Sequence, residues 1–180
     1  RWVSYTKSDG LINDIVYDIA VDITGAVWIG THGGLSRFDG TEWRSFTHEN
    51  IELIANKVTT VKVGPDNRIW TAHRDAKGGC AVYDGIEWQW FTTYTTELPS
   101  NDVRTLAVDS TGIVYFATDA GLAVYDGAGW RLITEEDGLK SVEIDNLIVD
   151  SNDALWIFYA RGENAGVTRL FDGGMTHYTE

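Results

Sequence analysis

The chain has 180 residues, 14 basic and 27 acidic side chains, and a formal net charge of -13. A chain of this length buries enough apolar surface to fold without disulfides or a structural metal. Its single cysteine, Cys80, excludes an internal disulfide. The acidic balance argues against nucleic acid and against an anionic membrane surface, both of which call for clustered Lys and Arg. No apolar run is long enough to cross a bilayer, which predicts no membrane insertion in this segment.

Eight Trp, eight Tyr, six Phe and 19 Gly stand beside two Pro and one Met, which favours short strands and tight turns over helices. In chain order, residues 2–6 (Trp2-Val3-Ser4-Tyr5-Thr6) match residues 43–47 and are predicted as an extra copy of an outer strand. Residues 16–21 are predicted as strand a, followed by the turn Asp22-Ile23-Thr24-Gly25. Strand b follows over 27–31, then a Gly-containing loop, strand c over 35–38, the pair Asp39-Gly40, and strand d over 42–46. Asp39-Gly40 is predicted to form a tight hairpin turn with positive φ at both residues.

The same order then recurs three times. Strand a begins again at Val58, Val103 and Ile144, and the strand b aromatic returns as Trp70, Tyr115 and Trp156. The aromatic-Asp-Gly signal returns as Tyr83-Asp84-Gly85, Tyr125-Asp126-Gly127 and Phe171-Asp172-Gly173, at spacings of 45, 42 and 46 residues. Trp43, Trp88, Trp130 and Met175 follow it. Four strands per period of about 40–45 residues is the arithmetic of a β-propeller blade. One blade cannot bury its own faces, so blades must pack on one another. This predicts an all-β chain of four tandem four-stranded antiparallel blades, over residues 7–47, 48–92, 93–134 and 135–180. The fifth copy of strand d, at residues 1–6, points to missing blades or to an eight-blade ring made by two copies. Seven of the eight Trp, all but Trp90, fall at repeat positions and are predicted to pack within or between blades.

Blade one reads Asp22-Ile23-Thr24-Gly25-Ala26-Val27-Trp28-Ile29-Gly30-Thr31-His32-Gly33-Gly34-Leu35-Ser36-Arg37-Phe38-Asp39-Gly40, preceded by Asp9-Gly10-Leu11-Ile12-Asn13-Asp14. This closely resembles the two-component regulator propeller repeat. The resemblance implies a periplasmic or extracellular location and a sensor module of bacterial hybrid two-component systems, often tuned to glycans. The chain departs from the receptors in having no transmembrane segment, no kinase or response-regulator part, and fewer blades.

The b-to-c loops are short in blades one and three and long in blades two and four, as a duplicated two-blade unit would give. Binding residues usually sit on variable loops held by a rigid scaffold. The candidates for a ligand-binding face are His32, His73, Arg74, Asp75, Tyr94, Asp119, Tyr159, Arg161 and Glu163. Around them lie Lys77 on a b-to-c loop and Asp9, Asn13, His48, Glu49, Asn101, Asp102, Glu136 and Asp137 on d-to-a loops. No nucleophile elbow and no His-Glu-x-x-His spacing is present, so no catalytic residue, metal or cofactor is predicted. Cys80 takes the place of Leu35 and Leu122 in the repeat and is expected to be a buried small hydrophobe. The expected function is non-catalytic recognition of a small ligand, a glycan or a protein. The rival readings are a metal-dependent propeller lyase using His32 and His73, and a structural scaffold in an extracellular assembly.

Overall fold

The structure, a computed structural model, describes residues 2–50, 53, 55–74, 78–159 and 165–178. Blade one consists of β1 (Val16–Val21), β2 (Val27–Thr31), β3 (Gly34–Phe38) and β4 (Trp43–Phe46). Blade two consists of β5 (Val58–Val63), β6 (Ile69–His73), β7 (Gly79–Tyr83) and β8 (Trp88–Phe91). Blade three consists of β9 (Val103–Val108), β10 (Val114–Thr118), β11 (Gly121–Tyr125) and β12 (Trp130–Ile133). Blade four consists of β13 (Asn146–Val149), β14 (Leu155–Tyr159), β15 (Gly166–Phe171) and β16 (Gly174–Tyr178). Each blade is an antiparallel meander whose strands pair in sequence order.

The a-to-b turn is built by its first residue. Asp22 Oδ1 accepts the N–H groups of Thr24 and Ala26 at 2.9 and 3.0 Å. Asp109 does the same for Thr111 and Ile113, and Asp150 for Asn152 and Ala154. One glycine of the repeat is fixed by space as well as by backbone. Gly79 has φ +108°, and a Cβ there would lie 2.5 Å from the carbonyl oxygen of Phe91. No L side chain fits between strands c and d at that point.

The c-to-d turn departs from the sequence expectation. In blades one to three only the glycine is left-handed, with φ +98°, +101° and +92° at Gly40, Gly85 and Gly127. The aspartate instead closes a four-residue loop: Asp39 Oδ1 accepts from the N–H groups of Thr41 and Glu42 at 3.0 and 2.9 Å. The two-residue turn with both φ positive exists in blade four, at Asp172 (φ 50°) and Gly173 (φ 75°). There β15 runs one residue further, and Leu170, not Phe171, takes the register position of Phe38.

Blades pack in chain order through three clusters. Trp28, Leu35 and Phe46 of blade one meet Val58, Val61, Ile69 and Tyr83 of blade two. Trp70, Cys80 and Phe91 of blade two meet Val103, Leu106, Val114 and Phe116 of blade three. Leu122, Val124 and Ile133 of blade three meet Ile144, Leu147, Leu155 and Ile157 of blade four. Each of these large side chains, fully buried, contributes about 1.5–3 kcal/mol of transfer free energy. The repeat tryptophans Trp43, Trp88 and Trp130 lie against Phe38, Tyr83 and Tyr125 at 4.6, 5.0 and 4.9 Å between ring centroids. Trp2 breaks the rule predicted for it, being 99% exposed. Residues 2–6 join none of the four sheets.

Two further contacts link the a-to-b turns of neighbouring blades. Ile23 N–H donates to Asn67 Oδ1 at 3.0 Å, from blade one to blade two. Ser110 N–H donates to Asp153 Oδ1 at 2.9 Å, from blade three to blade four. Between blades two and three the corresponding positions are Pro65, which has no N–H, and Gly112, which has no side chain.

Candidate functional site

The first strand of blades one to three bends near its start. Val58 and Val61 are both fully buried although three residues apart, which a regular strand of period two does not allow. The register slips between Val58 and Thr60, and likewise between Val16 and Asp18 and between Val103 and Thr105. Tyr17, Thr59 and Arg104 are therefore bulge residues, turned out of the pleat. In blade four Ile144 and Leu147 are again both buried, and Asp145 stands between them with its N–H bonded to Phe158 O at 2.9 Å.

Arg104 and Asp145 line one hollow of about 330 Å³ together with Arg74 and Glu143. Arg74 directly follows β6, Arg104 is the second residue of β9, and Glu143 and Asp145 precede β13. The hollow thus lies at the end of the blades where the d-to-a and b-to-c connections leave, and three blades contribute to it. Arg74 Nε lies 3.7 Å from Asp102 Oδ1. Arg104 Nε and Asp102 Oδ1 are buried atoms with no hydrogen-bond partner among the described residues. Buried polar atoms are nearly always hydrogen-bonded, so the Arg104 Nε in this hollow calls for an explanation.

Near the same end of blade one, the Tyr17 hydroxyl and His32 Nδ1 lie 3.0 Å apart, and Lys57 Nζ lies 5.6 Å from the centre of the Tyr17 ring. A second hollow of about 360 Å³ lies at the opposite end, between blades one and two, lined among others by Asp22, Arg37, Arg44, Asp66 and Asp84. Two of its carboxylates are already committed to their own turns, Asp22 to Thr24 and Ala26 and Asp84 to Ile86 and Glu87.

The sequence candidates separate into four groups. Arg74 lines the three-blade hollow, and His32 and Asp119 are exposed in the short b-to-c loops. Tyr94 is 91% exposed on the d-to-a loop before blade three. His73 and Tyr159 are corrections: neither is a loop residue. Each ends its strand b at the position of Thr31 and Thr118 and is buried. His73 holds Ala55 O with Nδ1 at 2.8 Å and meets Thr71 Oγ1 with Nε2 at 2.9 Å, so both ring nitrogens are engaged. Burial pushes the Tyr159 phenol above its ordinary value. Asp75, Lys77, Arg161 and Glu163 lie outside the described residues.

Most d-to-a candidates serve the backbone. Asp9 and Asp137 accept the N–H of Thr6 and Thr134 at 2.8 and 2.9 Å. Asn13 and Asn101 likewise accept from Ile15 and Thr93. Glu49 holds the Asn56 amide. Arg104, Glu143 and Asp145 were not singled out by sequence, although the spacing that betrays the bulge is visible there. Among the described residues, no three His, Cys, Asp or Glu side chains are arranged to hold a metal ion.

This is a β-propeller assembly of tandem blades, with a polar hollow where the first strands begin. Residues 10–33 match the family model described as two component regulator propeller, which is the stretch carrying the repeat motif of blade one. No curated protein matches the chain. Among solved structures, it is similar to an extracellular domain assigned to the hybrid two component system BT3049 of B. thetaiotaomicron. That match has 21% identity and a TM-score of 0.78, and covers 99% of this chain and 24% of that one. It is also similar to virginiamycin B lyase from Staphylococcus aureus, at 15% identity and TM-score 0.70, over 92% of this chain and 55% of the lyase. A third similar structure is PorZ, a surface component of the type-IX secretion system of Porphyromonas gingivalis, at 14% identity and TM-score 0.68, over 98% of this chain and 30% of PorZ. At identities this low, the likeness shows the shared fold alone. The chain spans about a quarter of the first of these proteins and about half of the second.

Proposed function

We propose that the chain is a non-catalytic recognition module of an extracytoplasmic sensor, and that it holds a glycan in the hollow of Arg74, Arg104, Glu143 and Asp145. The observation that carries this is the buried Arg104 Nε, unpartnered among the described residues and set on a bulge in that hollow. Guanidinium groups only donate and carboxylates only accept. A sugar hydroxyl does both, so a polyhydroxylated ligand can bridge the two kinds of group in one site. A volume of about 330 Å³ is within the range of small-ligand pockets. Likeness in fold to the extracellular domain of a hybrid two component system supports a periplasmic or extracellular setting.

A ligand that binds only the folded state raises its melting temperature. A thermal-shift screen of oligosaccharides on the wild-type chain and on Arg104→Ala tests the reading. The expected result is a rise in Tm for one glycan class that is absent in Arg104→Ala, with the unliganded Tm of the two proteins within a few degrees. No rise with any glycan, or an equal rise in both proteins, would sink it.

A further inference from the structure

Tyr5 stands against Phe38 and Trp43, with ring centroids 5.3 and 5.7 Å away. Phe46, at the end of β4, stands in the same way against Tyr83 and Trp88 of the next blade, at 5.7 and 5.6 Å. Phe91, at the end of β8, stands against Tyr125 and Trp130 at 5.2 and 5.7 Å. The three receiving pairs are equivalent, each joining strands c and d directly across the ladder. Tyr5 therefore fills, for blade one, the seat that the outer-strand aromatic of a preceding blade fills for blades two and three.

The surrounding residues agree. Trp2 and Tyr5 keep the spacing of Trp43 and Phe46, and Thr6 follows as Thr47 does. The Thr6 N–H is held by Asp9 at 2.8 Å, as that of Thr47 is held by Asn50 at 2.9 Å and that of Thr134 by Asp137 at 2.9 Å. Leu11 is then buried, as Leu53 and Leu139 are.

The face beside this strand is uncovered. Val58 and Val61, Val103 and Leu106, and Ile144 and Leu147 are 0–2% exposed against the blade before them, whereas their counterparts Val16 and Ile19 are 41% and 56% exposed. Ile69, Val114 and Leu155 are buried, and their counterpart Val27 is only half-buried.

We propose that residues 2–6 are the outer strand of a further blade of this same repeat, and that the three inner strands of that blade cover Val16, Ile19, Val27 and Ile29. The occupant has three strands because a complete blade brings its own outer-strand residue to the seat Tyr5 fills. A second intact copy is such a case. Its β16 already pairs with β15, Tyr178 opposite Val167, and Tyr178 would compete with Tyr5. What fits is a blade of this repeat with an unpaired edge on strand c, able to take residues 2–6 as its fourth strand by backbone hydrogen bonds.

The test creates such a blade in the protein itself. Removing residues 174–180 takes away β16 and leaves blade four with three strands and a free β15 edge. The shortened protein is expected to associate head to tail, doubling its mass or more in sedimentation at micromolar concentration. The further change Tyr5→Ala, or loss of residues 2–6, is expected to return it to monomer, and the 180-residue chain is expected to stay monomeric. Tyr5→Cys with Val167→Cys should give a disulfide between copies in the shortened protein alone. If the shortened protein is unfolded by itself, a peptide of residues 2–11 is added and the circular dichroism followed. Recovery with this peptide and not with its Tyr5→Ala form supports the proposal. A folded shortened protein that stays monomeric, association that survives loss of residues 2–6, or an unfolded one that the peptide does not rescue would each overturn it.

Discussion

The indole N–H of Trp28 donates to Asp22 Oδ2 at 2.9 Å, so the residue that builds the a-to-b turn also anchors the buried tryptophan of the blade. Blade four repeats the contact between Trp156 and Asp150 at 2.8 Å. Blade three replaces it with the Tyr115 hydroxyl on Asp109 at 3.1 Å, where burial and the carboxylate push the phenol up to about 12. Trp28 is 3% exposed, so removing its acceptor leaves a donor buried and unpaired. Asp22→Ala is expected to cost about 1–3 kcal/mol in urea unfolding, with Asp22→Asn recovering part of the loss.

Acid should weaken the fold through the turns. Burial raises the Asp22 carboxyl, but hydrogen bonds from Thr24, Trp28 and Ala26 outweigh it and hold the group below its ordinary value. Asp39 is held down to about 2 by the N–H of Glu42 and by Thr41. Asp84, Asp126 and Asp150 are lowered by turn N–H groups or, for Asp150, first by Trp156. A carboxylate depressed in the folded state contributes stability above its unfolded pKa and loses it as pH falls through the folded value. The melting temperature is therefore expected to be level from neutrality to about pH 5 and to fall between about pH 4 and 2. A Tm that stays constant down to pH 2 would contradict this.

Gly79→Ala places a Cβ 2.5 Å from the Phe91 carbonyl oxygen at a residue with φ +108°. The strain is expected to cost about 1–3 kcal/mol or more. Gly25→Ala is the control for backbone alone, since its φ is +85° and nothing lies within 4 Å of its Cβ position. Equal losses for the two, measured by thermal denaturation, would show that crowding between strands c and d plays no part.

Cys80 is fully buried in the cluster between blades two and three, and burial raises its thiol well above the ordinary value. The thiolate is the reactive form. A disulfide reagent is expected to label it only at the rate of opening, and fully in denaturant. Prompt labelling of the native protein would contradict the burial.

The strands were legible because three kinds of landmark repeat with one period: the strand b aromatic, the aromatic-Asp-Gly signal and the Trp beyond it. The turn geometry at Asp39-Gly40 was not legible. A dipeptide does not reveal whether two or four residues close the loop, and only the ladder from Phe38 to Trp43 shows it. His73 and Tyr159 were misplaced because each runs into a long polar b-to-c loop and was grouped with it. The strand b period, 27–31, carries over to 69–73 and 155–159, and its last position faces the interior. Arg104 escaped because the bulge breaks the period-two pattern that marks a strand, and Asp145 because it stands just before β13. The available signal was a pair of apolar residues three apart, such as Val103 and Leu106, with a polar pair between them.

The turn contacts from Ile23 to Asn67 and from Ser110 to Asp153 give the chain a grammar of twos. Excising blade two alone would set the Ile23 N–H against Gly112, which has no side chain to receive it. Excising blades two and three together would set it against Asp153, which receives the Ser110 N–H now. Loss or gain of blades in pairs thus keeps every such contact intact, while a single blade breaks one. A lineage built from this repeat should therefore lengthen and shorten by about 90 residues at a time more readily than by one blade of about 40–45 residues.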